Sequence, residues 1–213
     1  MNVRHFVCNP FGENTYLAFD ETREAVVIDP GFYDEREFLV FKSFLERERL
    51  SLKKVLNTHL HLDHCIGNGF VKREWNLDAC AHEADLFLLQ NAGSQARMFG
   101  LEISEELPTS ICPLQEGEAL KVGNMDFEVL EVPGHSAGGL AFYEKEAGAI
   151  FAGDVLFRGS YGRYDLPGGD FTALKHSIVE KLFKLPENTV VFSGHGLSTT
   201  IGNEKIGNDI LGF

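Results

Sequence analysis

Basic residues are few: 19 Lys and Arg stand against 32 Asp and Glu, a formal net charge of −13. A balance so acidic excludes nucleic acid and an anionic membrane as default partners, since both are recognised through basic patches. It still leaves room for a local basic pocket facing an anionic small-molecule substrate. Cysteine is also sparse, with only Cys8, Cys65, Cys80 and Cys112 and no CxxC spacing, which points to free thiols in a reducing compartment. No apolar run approaches the ~20 residues of a membrane-spanning helix. The start Met1-Asn2-Val3-Arg4-His5 lacks the apolar core of a signal peptide, so a cytoplasmic protein is expected. Repeats, low-complexity tracts and interdomain linkers are missing as well. With 213 residues, 44% hydrophobic and 24% charged, one domain over 1–213 with a sizeable core is expected. Oligomeric state leaves no trace in the sequence.

Short apolar or alternating runs at Val3–Cys8, Thr15–Phe19 and Ala25–Ile28, broken by Asn9-Pro10-Phe11-Gly12 and Asp20-Glu21-Thr22-Arg23, read as an antiparallel meander that Asp29-Pro30-Gly31 ends. Phe38, Phe41, Phe44 and Leu45 recur at helical spacing, giving an amphipathic helix over Asp34–Arg49. A strand at Lys53–Asn57 follows, then helices at Gly67–Trp75 and Ala84–Leu89 around a brief strand at Asp78–Ala81. Asn91–Ser110 shows little periodicity and reads as a partly irregular excursion able to cover a site. Strands resume at Ala119–Val122, Met125–Val132, Gly139–Glu144 and Ala149–Ala152. A second amphipathic helix is predicted over Phe171–Leu185 and a last strand at Thr189–Ser193. Two runs of strands, each with a helix outside, make two sheets face to face with outer helices. The tight Gly/Asn/Asp turns favour mostly antiparallel pairing.

The densest chemistry lies in Asn57-Thr58-His59-Leu60-His61-Leu62-Asp63-His64, directly after the apolar Val55-Leu56. Imidazole nitrogen and carboxylate oxygen are ligands that zinc, iron and manganese accept. His59 and His61, two apart, can face one point; Asp63 and His64, beyond a turn, can face a second. Three more stretches share one format, an apolar strand, a small-residue turn and a ligand-type residue. They are Val129–Gly134 before His135, Ala149–Gly153 before Asp154, and Val190–Gly194 before His195. Glycine before each ligand allows close approach. A sensible partition gives His59, His61 and His135 to one ion and Asp63, His64 and His195 to another, with Asp154 bridging. An open position on each ion would hold a shared water as hydroxide, its pKa lowered from ~15.7 to about 7. Asp63 would help orient it. His5, His82 and His176 are expected to be surface or structural, and Cys65 a core thiol.

His59-Leu60-His61-Leu62-Asp63-His64, with Pro133-Gly134-His135, Gly153-Asp154 and Gly194-His195-Gly196, resembles the metallo-β-lactamase-fold hydrolases. The resemblance implies an αββα sandwich and the same ligand partition. Gly134-His135-Ser136-Ala137-Gly138-Gly139 and Gly153-Asp154-Val155-Leu156-Phe157 look like glyoxalase II, the hydroxyacylglutathione thioesterase. Gly159–Asp170 and Thr199–Lys205 resemble its compact bacterial relatives. Long glyoxalase II enzymes add a C-terminal helical domain that helps hold glutathione, and none is expected here. Arg163 stands where the family carries a basic glutathione contact, a candidate for binding a substrate carboxylate; Asp165 and Leu197 stand where it has tyrosines. The resemblance implies hydrolysis of a small acyl thioester such as S-lactoylglutathione with two divalent ions, zinc first and iron or manganese accepted. The alternatives are a persulfide dioxygenase with a single iron, for which Gly162-Arg163-Tyr164-Asp165 is a matching stretch, and a hydrolase of another ester or a lactone.

Overall fold

Three strands open the chain, β1 (Asn2–Cys8), β2 (Glu13–Phe19) and β3 (Glu24–Ile28), paired antiparallel as the meander predicts. The computed structural model describes residues 1–212. Helix α1 (Glu35–Glu48) follows, started by Asp34, whose side chain accepts from the backbone N–H groups of Arg36 and Glu37. It ends at Arg49 in the left-handed conformation (φ 55°). Strand β4 (Ser51–Leu56) then runs parallel to β3, β5 (Ala79–Ala81) parallel to β4, and β6 (Cys112–Pro113) parallel to β5. The first sheet is therefore mixed, with three of its five pairings parallel rather than the mostly antiparallel arrangement expected. A helix between two strands carries the chain back to its starting end, so the next strand runs in the same direction. Between β4 and β5 lie α2 (Leu62–Cys65) and α3 (Asn68–Trp75).

The second sheet holds β7 (Ala119–Val122), β8 (Met125–Glu131), β9 (Leu140–Glu144), β10 (Ala149–Gly153), β13 (Val190–Ser193) and β14 (Thr199–Thr200). It is antiparallel except where β10 meets β13. A small hairpin, β11 (Leu156–Phe157) with β12 (Ser160–Tyr161), stands apart. The predicted helix over Phe171–Leu185 is α6 (Phe171–His176), continued through a wider turn at Ser177–Lys181 and a tighter one at Leu182–Lys184. β14 was not predicted, nor α7 (Ile201–Gly207), which Thr200 caps.

Strand alternation produces the layering. Tyr16, Ala18, Val26 and Ile28 face inward against Phe127, Val129, Phe142 and Phe151 of the other sheet. Their neighbours Leu17, Ala25 and Val27 face outward, where Phe38, Phe41 and Leu45 of α1 and Phe70 of α3 cover them. On the opposite side Ile150 and Ala152 face outward under Leu174, Ile178 and Leu182. The result is helix, sheet, sheet, helix: the αββα sandwich.

Candidate metal centre

Parallel pairing explains where the site forms. β3 and β4 end side by side, with the Asp29 N–H donating to the Leu56 carbonyl (2.8 Å). β10 and β13 also end together, the Gly194 N–H donating to the Gly153 carbonyl (2.8 Å). The turns that follow these strands carry Asp29, His59, Asp154 and His195 to one rim. Antiparallel neighbours would have sent them to opposite ends. His135, after β8, reaches the same rim.

There the structure brings all seven sequence-predicted ligands together. His59, His61 and His135 form one group able to hold an ion, and Asp63, His64 and His195 a second, the candidate ligand atoms within 4.8 Å of one another in each. Asp154 touches both: Oδ1 lies 3.4 Å from His64 Nε2, and Oδ2 lies 3.7 Å from His135 Nε2 and 3.5 Å from His195 Nε2. Asp63 Oδ2 is 3.2 Å from His195 Nε2.

Three of the five imidazoles, those of His59, His64 and His135, are aimed by their other nitrogen. His135 Nδ1 donates to the Arg163 carbonyl (2.7 Å), leaving Nε2 with a bare lone pair. His64 Nδ1 donates to Asp29 Oδ2 (3.0 Å). Thr58 Oγ1 donates to Asp29 Oδ2 (2.6 Å), so it accepts from His59 Nδ1 (3.1 Å). His61 Nδ1 and His135 Nε2 lie 2.9 Å apart, a spacing that two lone pairs do not tolerate without a proton or a cation between them. The Nε2 atoms of His59 and His64 and Oδ1 of Asp154 are buried without a hydrogen-bond partner. Buried polar atoms are normally satisfied, so this group of orphans fits metal ligation. Such outer hydrogen bonds are what orient imidazole ligands in metal sites.

The electrostatics agree. Burial, aided by the neighbouring imidazoles, holds His59 well below the usual histidine range and His61 down to about 3. Both stay neutral and available as ligands. Burial opposes charge on Asp63 and Asp154 too, but His64 outweighs it and both carboxyls lie below their ordinary range. His64 is held well above its ordinary value; burial opposes this, and Asp154 and Asp63 overcome it, so an ion entering its group would have to displace that proton.

Sequence reasoning missed the supports beneath this layer. Asp29 accepts from the Thr58 N–H (2.7 Å) as well as from Thr58 Oγ1 and His64. With its oxygens so engaged it serves as a brace, although it too lies beside His59 and His64. Its signal was legible, since Asp29-Pro30-Gly31 repeats the strand-then-acid format. Asp85 gave none. Buried, it accepts from the Leu60 N–H (3.3 Å), Ser136 Oγ (2.8 Å) and the Gly138 N–H (2.7 Å), tying the His59 loop to the His135 loop. Asn14 Nδ2 donates to the Ser193 and Gly196 carbonyls (3.1 and 3.0 Å), fixing the turn that presents His195. Gly194 packs against Asp154 and His64, the close approach expected; Gly134, at φ 132°, instead makes room for the backbone of Leu174 on α6.

Other expectations fall into place. Cys65 is fully buried beside Leu60, Ala81, Leu88 and Leu89, its Sγ donating to the Leu60 carbonyl (3.7 Å). His82 caps the turn at Glu83–Asp85 by accepting from the Ala84 N–H (3.1 Å), and His5 and His176 are exposed. Arg163 lies on the wall of the cavity above the centre, paired with Asp165 at 2.8 and 2.9 Å. The excursion is less irregular than predicted. After α4 (Leu86–Gln90) it forms α5 (Ala92–Met98), which supplies part of the same wall.

An αββα sandwich with two His/Asp groups at one rim defines a metal-dependent hydrolase, and the comparisons specify the family. The Metallo-beta-lactamase superfamily matches residues 8–195, and the chain belongs to it. Hydroxyacylglutathione hydrolase GloC of Haemophilus influenzae is 38% identical over 212 residues, covering 99% of this chain and 98% of that protein. Among solved structures, BLEG-1 B3 metallo-beta-lactamase is 36% identical with a TM-score of 0.87, covering 99% of both chains. TTHA1623 in a di-iron-bound form is 40% identical with a TM-score of 0.86, covering 97% of this chain and 98% of that one. No helix among the described residues is long and apolar enough to cross a membrane.

Proposed function

We propose that the protein hydrolyses small acyl thioesters, S-lactoylglutathione among them, at a pair of divalent ions. His59, His61 and His135 would hold one ion, Asp63, His64 and His195 the other, and Asp154 would serve both. The carrying observation is that Asp154 reaches into both groups through its two oxygens. Ions at these positions would polarise the thioester carbonyl and supply water activated for attack near neutral pH. The residues contribute the rest. Asp63, a carboxyl already held below its ordinary range, would help orient the attacking water as well as hold an ion. Asp29, Thr58 and the Arg163 carbonyl keep the imidazoles in the ligating tautomer. Arg163 is the candidate contact for a substrate carboxylate, once released from Asp165.

The activity in the name of the Haemophilus influenzae relative supports a hydroxyacylglutathione thioester. Imidazole and carboxylate suit zinc, iron and manganese alike; zinc remains the first expectation, and the di-iron form of TTHA1623 supports iron as an alternative. A complete second ligand group favours two-ion hydrolysis over a dioxygenase that uses a single iron. Metal-loaded protein should release free thiol from S-lactoylglutathione, and His59→Ala should lose at least ~100-fold of that rate. Wild-type turnover no faster than that of His59→Ala would sink the proposal. A chromogenic β-lactam belongs in the same assay, because one structural relative is named a B3 metallo-beta-lactamase.

A further inference from the structure

The cavity above the metal centre is about 550 Å³, inside the ~300–1,000 Å³ range of small-molecule sites. Volume alone would admit glutathione. The chemistry of the wall discriminates more sharply. Beyond the five candidate ligands, eight of the twelve residues lining it are apolar, among them Phe11, Phe87, Met98, Phe99, Leu166 and Pro167. Three of these stand open to solvent at its mouth: Met98 at 80% exposure, Phe99 at 56% and Phe11 at 38%. Phe11 and Phe99 meet edge to face, ring centroids 5.2 Å apart. Large apolar side chains gathered in one exposed patch mark a binding surface.

Charged partners for a glutathione moiety are lacking. Apart from the histidines of the two ligand groups, Arg163 is the one cation among the described residues lining the cavity. Its guanidinium already meets Asp165 through Nε and Nη2. Each uncharged polar side chain already makes one bond within the α4–α5 segment. Asn91 Nδ2 donates to the Phe87 carbonyl (2.7 Å), Gln95 Nε2 donates to the Leu88 carbonyl (3.2 Å), and Ser94 Oγ accepts from Arg97 (2.9 Å). Glutathione brings two carboxylates and an ammonium, each of which loses hydration on entry and needs a partner in return.

Resting on the thioesterase proposal, we infer that the group filling this cavity is uncharged and apolar. The preferred substrate class is a thioester bearing an alkyl or aryl group on its acyl or thiol side, ahead of an ionised peptide thiol.

The test uses metal-loaded wild-type protein and two series. One lengthens the acyl chain from acetyl to hexanoyl on uncharged N-acetylcysteamine; the other lengthens the thiol from ethyl to hexyl on a fixed acetyl group. S-lactoylglutathione is run beside them. Expected is a kcat/KM rising about fourfold per methylene in at least one series, with that series' hexyl or hexanoyl member ahead of S-lactoylglutathione. Met98→Lys should flatten the slope. Asp165→Ala, by freeing Arg163, should lower the KM for S-lactoylglutathione severalfold. Calorimetry with two non-hydrolysable thioethers, S-hexyl-N-acetylcysteamine and S-methylglutathione, should show tighter binding of the first. Equal rates along both series, S-lactoylglutathione ahead of every apolar member, or tighter binding of S-methylglutathione would each overturn the inference. Absence of thiol release from every thioester overturns the thioesterase proposal instead, and the calorimetry then decides the cavity's preference by itself.

Discussion

The rim of strand ends and the cavity wall above it are built on opposite plans. At the rim each candidate ligand is buried or nearly so, and four of the five histidines lie at or below 9% exposure, His195 being more open. Buried Asp29 and Asp85 brace the loops from beneath. The wall rests on two short helices, Leu86–Gln90 and Ala92–Met98, and leaves Met98 and Phe99 in solvent. Geometry needed for chemistry is over-determined by hydrogen bonds, whereas surface that selects a substrate needs only shape and polarity. The wall can therefore vary while the rim cannot.

The sharpest way to break the contrast is at the ions. Exhaustive chelation should abolish turnover by ~10³ or more, since several kcal/mol of transition-state stabilisation go with the metals; assays before and after metal re-addition check it. Chelated protein should also become acid-sensitive. His59 and His61 lie below the ordinary histidine range, so below about pH 6.5 the unfolded chain binds protons that the fold refuses, and stability falls. Below about pH 4 the depressed Asp63 and Asp154 add to the loss as pH drops toward their folded values. His64 acts in the opposite sense, its raised value favouring the fold until pH climbs through it. His59 and His61 should therefore raise denaturation midpoints from about pH 4 to 6.5, against the opposite pull of Glu13 and Asp85, whose carboxyls burial raises. His64 and His195 should lower them from about pH 6.5 toward 8; a profile that falls throughout would show that the imidazoles are not held neutral.

Next comes the brace. Asp29→Ala leaves His64 Nδ1 and Thr58 without their acceptor, and a loss of about 10–100-fold in metal affinity is expected by titration. Asp85→Asn turns one accepting oxygen into a donor facing other donors, for about 1–3 kcal/mol of lost stability in urea. The smallest effect belongs to the wall: Met98→Lys should change stability by no more than about 0.5 kcal/mol. A larger change would mean that the wall is as tightly fixed as the rim.

Much was legible before folding. Apolar runs bounded by turn residues marked β2, β3 and β10 as strands, and they are buried on both faces; the phenylalanines of α1 marked its buried side. Glycine turns flagged His135, Asp154 and His195. Less legible were the elements stabilised from outside themselves. Cys112–Pro113 is a strand only because β5 lies beside it, and Ala92–Met98 is helical despite weak periodicity, with Ala92 and Ala96 packed on Leu62 and Ile66. Asp85 carries no local mark because its partners are distant in sequence.

The donor set follows from residue type alone, because ligand chemistry belongs to the side chain, and the sandwich follows from two runs of strands each with a helix outside. That β3 and β4, and likewise β10 and β13, run parallel and bring four separate turns to one rim is settled by the packing of the folded chain. Packing alone also gathered Phe11, Met98 and Phe99 around one cavity. These depend on contacts between segments far apart in the chain, and no local pattern encodes such a contact.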